Sequence, residues 1–367
     1  MAKKKNRKNK AFIALFVSLL FAILILNDPF HTQLNETDVE SYSAKDIHEA
    51  VIPDTLKVMT WNIKFGGGRI DFFFDCYGDR VIMSHSEVIE NLENLLKKID
   101  QYQPDILFLQ EVDIHAKRSA DIDQMQWLLD HTDLNYGVYA SQWKASYVPS
   151  NGIGNMDSGN GILSKWQFHN SKRISLPLFE DQNFIVRYFY MKRNILTTEL
   201  TLEGENYLLA NTHLSAYSHD GTKKKQLVIL YNLLSSADSV GQIFILGGDL
   251  NSIPPGSQKV KDFADAACEE EEFSADDYSE EIEWMVPFYK FESAIPLHDF
   301  KTDNAPYFTH TTRSPANGGF WSRKIDYMFT NGNFAEGSGL THQDTSSGKT
   351  NTMELSDHAP ISVEFVR

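Results

Sequence analysis

Ile243-Phe244-Ile245-Leu246-Gly247-Gly248-Asp249-Leu250-Asn251 is an apolar run that ends in a carboxylate and an amide. Four large apolar residues in a row, followed by two glycines, read as a strand covered on both faces. Such a strand has no packing reason to finish in Asp249 and Asn251, since buried polar groups cost free energy unless something pairs with them. The same pattern recurs along the chain. Val58-Met59-Thr60-Trp61 leads into Asn62, Ile106-Leu107-Phe108-Leu109 into Gln110-Glu111, and Leu208-Leu209-Ala210-Asn211-Thr212 into His213. Ile325-Asp326-Tyr327 opens another strand, and Ser356-Asp357-His358 stands directly before the last one, Pro360 to Val366. Polar side chains at strand ends converge on one rim of a sheet, which is where α/β folds bind ligands.

Helical patterns fill the intervals. Ser84 with Glu87 forms a capping box, and Val88, Leu92, Leu95, Leu96 and Ile99 place one apolar stripe on the helix it opens; Pro104 closes it. Leu227, Leu230, Leu233 and Leu234 mark a second helix between the strands at Tyr207–Ala210 and Ile243–Leu246. Interleaved strands and helices in one continuous run predict a single α/β domain over residues 56–367. Gly66-Gly67-Gly68 reads as a plain flexible loop, because it lacks the spacing and lysine of a phosphate-cradling loop. Residues 262–283 hold eleven acidic side chains and no basic one, which reads as a solvated insertion.

Charge and hydropathy organise the N-terminus. Residues 1–10 carry six basic side chains and no acidic one, so with a net charge of −16 the remainder carries −22. A field of that sign disfavours non-specific binding to nucleic acid, whose affinity comes from Lys and Arg displacing counterions. Residues 1–10 read as a basic cytoplasmic tail. Residues 11–26, apolar but for Ser18, read as an uncleaved single-pass anchor that leaves the domain over 56–367 outside the cytoplasm. A secreted product of signal cleavage is the alternative. Residues 27–55, polar with Pro29 and Pro53, read as a linker. Cys76 and Cys268 fit no zinc or redox spacing and read as silent thiols.

The polar set suits phosphoryl transfer. Glu111, Asp249 and Asp357 are hard oxygen ligands of the kind Mg²⁺ or Mn²⁺ prefers, and Asn62 and Asn251 add neutral oxygens. Two histidines supply proton transfer. No pair of His or Cys stands at the short spacing of a zinc site.

Seven pieces in order now carry a resemblance: Thr60-Trp61-Asn62-Ile63, Leu109-Gln110-Glu111, Gly161-Ile162-Leu163-Ser164, Asn211-Thr212-His213-Leu214, Gly248-Asp249-Leu250-Asn251, Ile325-Asp326-Tyr327 and Ser356-Asp357-His358. Together they resemble the endonuclease/exonuclease/phosphatase superfamily, which includes pancreatic-type deoxyribonucleases, apurinic endonucleases and neutral sphingomyelinases. The resemblance implies a four-layer α/β sandwich: two packed mixed β-sheets flanked by helices, here preceded by one N-terminal hydrophobic helix. It implies a Mg²⁺- or Mn²⁺-dependent phosphoric ester hydrolase. Glu111 would be the principal metal ligand, with Asp357 and Asn62. His358 would activate water, oriented by Asp326 as in hydrolytic triads. Asp249 would position the nucleophile or a second metal, and Asn251 would hold a phosphate oxygen. His213 would stabilise transition-state charge. Tyr136, Tyr139 and Tyr190 all compete for the active-site tyrosine of the family.

The implied activity is that of a phosphodiesterase acting on a lipid head group or a nucleic acid, with a nuclease as the alternative. A non-catalytic binding protein on the same fold is the reading from a different class. Tyr327-Met328 after Asp326 departs from the inositol-phosphatase pattern, which places an arginine there. No obligate protein partner is evident.

Overall fold

Alternation along the apolar runs settles which side chains meet. In the run Ile106–Leu109, Ile106 and Phe108 face one way and Leu107 and Leu109 the other, and both pairs are fully buried. The computed structural model describes residue 10 and residues 12–20, 34–75, 78–148, 150–216, 218, 220–266, 277–344 and 351–367. Its first sheet comprises β1 (Glu40–Ser43), β2 (Thr55–Asn62), β3 (Ile106–Asp113), β4 (Tyr136–Val148), β5 (Gly154–Ser164), β12 (Asn333–Phe334), β13 (Leu340–Thr341) and β14 (Ile361–Val366). The second comprises β6 (Phe168–Ser175), β7 (Asn194–Leu202), β8 (Glu205–His213), β9 (Ile243–Asp249), β10 (Glu292–Ser293) and β11 (Asp326–Thr330). Strand order is β1-β4-β5-β3-β2-β14-β12, with β13 on β14, and β10-β11-β9-β8-β7-β6.

Three apolar layers hold four structural layers together. Leu56, Val58, Phe108, Leu209 and Ile245 fill the space between the sheets. Met59, Trp61, Leu107 and Leu109 face the helices His85–Tyr102 and Gln124–His131. Ala210, Phe244 and Leu246 face the helix Thr222–Ser239. This is the expected sandwich of two mixed sheets flanked by helices. Ser84 caps its helix through the predicted box, accepting from the Glu87 N–H while Glu87 accepts from Ser84.

Topology explains why the strand-end residues meet. β2 runs parallel to β3, and β8 parallel to β9, so Asn62, Glu111, His213 and Asp249 all lie at carboxyl ends. β11 and β14 run antiparallel to β9 and β2, so their beginnings, Asp326 and the segment after His358, come to the same rim; Asp326 stands opposite Asp249.

Four expectations change. Residues 12–20 form one short helix, and among the described residues no helix is long and apolar enough to cross a membrane. The single-pass anchor over 11–26, and the membrane location built on it, are therefore not supported; Ala11 and residues 21–26 lie outside the described residues, as do residues 1–9. The linker reading of 27–55 fails at Glu40–Ser43, which adds an edge strand to β4. The Gly66–Gly68 loop is a buried turn: the Asn91 amide donates to the Gly66 carbonyl and Gln124 to that of Phe65. Finally, the acidic stretch is not wholly solvated, since Asp265 and Glu281 near its ends are buried. Residues 267–276, with Cys268, lie outside the described residues, as does Cys76.

Candidate active site

A bulge in β3 sets the first carboxylate. The pairing of β3 with β5 shifts between Leu109 and Val112, and Glu111 sits there at φ 55°. Such a bulge re-aims a side chain that a regular strand would bury. Asn251, just past β9, takes φ 49°, a region asparagine tolerates. Its N–H donates to Asp249 Oδ1 at 3.0 Å and its side-chain amide to the Leu214 carbonyl at 3.0 Å.

Asp249 is the hub. Its Oδ2 accepts from Asn62 Nδ2 at 3.1 Å and lies 3.3 Å from His213 Nε2 and 3.7 Å from His358 Nε2. Asn62 Nδ2 also reaches Glu111 Oε1 at 3.2 Å, while its Oδ1 accepts from the Lys64 N–H at 3.1 Å. That backbone bond fixes the amide, so Asn62 presents nitrogen, not oxygen, to the carboxylates. His358 Nδ1 donates to Asp326 Oδ2 at 2.9 Å, and Nε2 points toward Asp249 and Asp357. Trp61 Nε1 donates to the His358 carbonyl at 2.8 Å, and Ser356 Oγ to the Asn62 carbonyl at 2.7 Å, tying the last loop to β2. The eight predicted residues thus join one network of contacts at the rim, Asn251 through its backbone N–H.

Burial and charge tune the groups. Burial pushes Asp249 up to about 7, against the pull of His358. Burial also raises Glu111, helped by the charge of Asp357. Asp357 goes the other way: despite burial, Lys64, His358 and Arg69 hold it below the usual carboxylate range. Burial opposes charge on His358, yet Asp326 and Asp249 push it up to about 10. His213 lies well below its usual range, through burial and the cations Arg193 and His358. Its proximity to Asp249 would suit an ion pair, but a third cation in this cluster is unfavourable, so His213 is neutral. The Glu111 and Asp357 side chains keep 27% and 20% of their exposure, whereas Asp249 and Asp326 keep 1% and 3%. A ligand therefore enters past Glu111 and Asp357.

The donor set fits a hard divalent cation. Glu111 and Asp357 offer carboxylate oxygens on the open side, and the charge of Asp357 already disfavours ionisation of Glu111; a cation between them relieves that conflict.

Four residues in this neighbourhood escaped the sequence reading. Lys64 Nζ lies 3.0 Å from Asp75 and 3.9 Å from Asp357. Arg69 donates to the Thr311 carbonyl and acts on Asp357. Arg193 directly precedes β7, which is antiparallel to β8 and so starts at the same rim; Tyr190, Glu111 and Asp249 all act on its buried guanidinium. The usable signal was a cation at the start of an antiparallel strand. His310 packs on His358 with ring centroids 4.5 Å apart. Among the three tyrosines, Tyr139 is committed to Asp157 at 2.9 Å, and Tyr136 is half-buried at the start of β4. Tyr190 is the one close enough to act on the Arg193 guanidinium.

Three solved structures share this architecture. An endonuclease/exonuclease/phosphatase from Beutenbergia cavernae is 18% identical with a TM-score of 0.54, covering 85% of this chain and 71% of its own. The human Nocturnin catalytic domain is 19% identical at 0.52, covering 91% and 99%. TDP2 from D. rerio is 16% identical at 0.51, covering 85% and 98%. No functionally curated protein matches the sequence. The profile of the Endonuclease/Exonuclease/phosphatase family matches residues 59–358, a span that opens beside Asn62 and closes on His358. The chain accordingly belongs to that family of phosphoester hydrolases and nucleases, whose enzymes generally depend on a divalent metal.

Proposed function

We propose that this protein is a Mg²⁺- or Mn²⁺-dependent phosphodiesterase in which His358 and Asp249 together take the proton of the attacking water. The observation that carries the reading is the placement of His358: Nδ1 locked by Asp326 at 2.9 Å, Nε2 turned to Asp249 at 3.7 Å. That gap is too long for a direct hydrogen bond and suits one water held by both groups. Each group lies in the other's field, so the pair as a whole, and not either member alone, takes up the proton. Glu111 and Asp357 would hold the metal, which when bound neutralises phosphoryl oxygens. Neutral His213, 3.3 Å from Asp249, would stabilise charge that builds on the phosphate in the transition state, with the field of the buried Arg193 guanidinium in support. The net charge of −16 favours a substrate with a single phosphodiester, such as a lipid head group, over a long polyanion.

The test uses the full chain with bis(p-nitrophenyl) phosphate, sphingomyelin and plasmid DNA, each with Mg²⁺ and with EDTA. His358→Ala and Asp249→Asn should each lower kcat by about 10²–10⁴, the range of general acid–base catalysis. Activity within tenfold of wild type in both variants would end the proton-transfer assignment. Cleavage of plasmid alone would favour the nuclease.

A further inference from the structure

We propose that His310, Asp357 and His358 form a nitrogen-rich cation site that takes a borderline-soft divalent ion, Zn²⁺ foremost, and that its occupancy inhibits the enzyme. One ligand atom from each of these residues lies within 4.8 Å of the others. His358 Nε2 and Asp357 Oδ1 are 4.0 Å apart, so a small closing turn of the Asp357 side chain brings both to ~2.0–2.2 Å from one ion. His310 Nδ1 is buried and makes no hydrogen bond of normal length, although the Asp357 backbone acts on the ring, and a ligand relieves that state. The backbone holds the trio in place: His310 pairs with His358 in an isolated bridge, and the Thr311 N–H donates to the Asp357 carbonyl at 3.0 Å.

A fourth contact gives the site its character. Asp326 receives Nδ1 of His358 at 2.9 Å, the carboxylate–histidine arrangement that orients an imidazole toward a metal on its other nitrogen. Two imidazoles with one carboxylate select Zn²⁺ or Co²⁺, whereas the oxygen donors Glu111 and Asp357 suit Mg²⁺ or Mn²⁺. The two sites share Asp357 and differ in the chemistry of the remaining donors. His310 and His358 are far apart in sequence, so no short spacing announces the pair. Binding ties up Nε2 of His358, the atom that the proposed hydrolysis needs free. The inhibitory consequence rests on that reading; the binding itself does not.

Calorimetric titration of the chelator-stripped full chain with ZnCl₂, and visible absorption with Co²⁺, read the site without catalysis. Wild type should bind one ion at this site, and His310→Phe should weaken it at least tenfold, the scale that even outer-shell losses produce. His310→Gln, with its smaller change in packing, should weaken it likewise, and circular dichroism confirms that both variants fold. With Mg²⁺ saturating, Zn²⁺ should inhibit wild type, and His310→Phe should require at least tenfold more. Absence of binding in wild type, or equal affinity in both variants, overturns the site. Binding that depends on His310 but leaves hydrolysis unaffected overturns the inhibition and, with it, the need for a free His358 Nε2. A protein without activity on any substrate still answers through the calorimetry.

Discussion

Two groups of carboxylates lie in this molecule, one buried and paired, the other at the rim, and they are treated in opposite ways. Asp265, at one end of the acidic stretch, receives Arg323 Nη1 at 2.9 Å and the Thr312 N–H at 2.9 Å. Glu281, near the other end, meets Lys223 at 2.7 Å, and the same ammonium donates to the Asn251 carbonyl at 2.5 Å. Glu111 and Asp249, at the rim, have neither Lys nor Arg within ion-pairing distance among the described residues. Burial acts on all of them. In spite of it, Arg323 holds Asp265 below the usual range, whereas Glu111 and Asp249 stay raised. The pairing, not the depth, decides whether a buried acid holds the fold together or remains available for a ligand.

Changing the same chemical group on each side tests this most severely. Asp265→Asn strips the charge facing a buried guanidinium and should cost ~3–5 kcal/mol, the usual penalty for orphaning one partner of a buried pair. Asp249→Asn, measured in EDTA, should leave stability unchanged or raise it, because the carboxylate it removes is costly to ionise there. Urea unfolding of both variants decides the matter. Equal destabilisation would erase the distinction between the two groups.

A somewhat smaller effect appears in the pH dependence. Asp265 has a folded pKa below its unfolded value of ~3.9, so the unfolded chain binds more protons and stability rises with pH. That contribution is present above about pH 4 and lost as pH falls through the folded value. For Asp249 the sign reverses. Raised to about 7, it binds the proton more tightly when folded, so its contribution is full below ~pH 4 and lost as pH climbs through 7. In EDTA, wild-type stability should therefore carry a falling component between pH 5 and 7 that Asp249→Asn lacks. Parallel pH–stability curves for the two proteins across that window would remove the coupling between burial and protonation at the rim.

Residue type alone could not separate these acids. Asp249 ended an apolar run and was visible for that reason, as were Glu111 and His213, while Asp326 stood out at the opening of a strand. Asp265 and Glu281 sat among nine other acidic residues in a stretch with no basic one, and their partners Arg323 and Lys223 come from elsewhere in the chain. The same physics hid part of the fold. β2, β3, β8 and β9 announced themselves because both faces are apolar. β5, Gly-Asn-Met-Asp-Ser-Gly-Asn-Gly-Ile-Leu-Ser, did not, because it trades side chains for close approach. A Cβ on Gly159 would stand 2.2 Å from the Ala140 carbonyl oxygen, and one on Gly161 2.4 Å from Met125 Sδ. Arg193 and His310 were equally silent, one preceding a strand and the other in a loop, at positions that only the antiparallel pairing and the tertiary fold bring to the rim.

The mildest prediction concerns how the structural acids serve the rim. Asn251 holds its left-handed backbone between two supports: Lys223, fixed by Glu281, reaches its carbonyl, and Tyr327 Oη donates to the next carbonyl, Ser252, at 2.7 Å. Tyr327→Phe deletes only the second support and leaves the ring packed beside Phe329, where the two stack at 5.7 Å. The loss of one buried hydrogen bond should cost about 1–2 kcal/mol in urea unfolding. Because Lys223 still grips the neighbouring carbonyl, kcat should fall by less than about threefold, in keeping with a contact that shapes the loop but does not touch the reaction. A loss of a hundredfold would mean that the two groups of acids do not act separately, and that the backbone behind Asn251 transmits strain directly to Asp249.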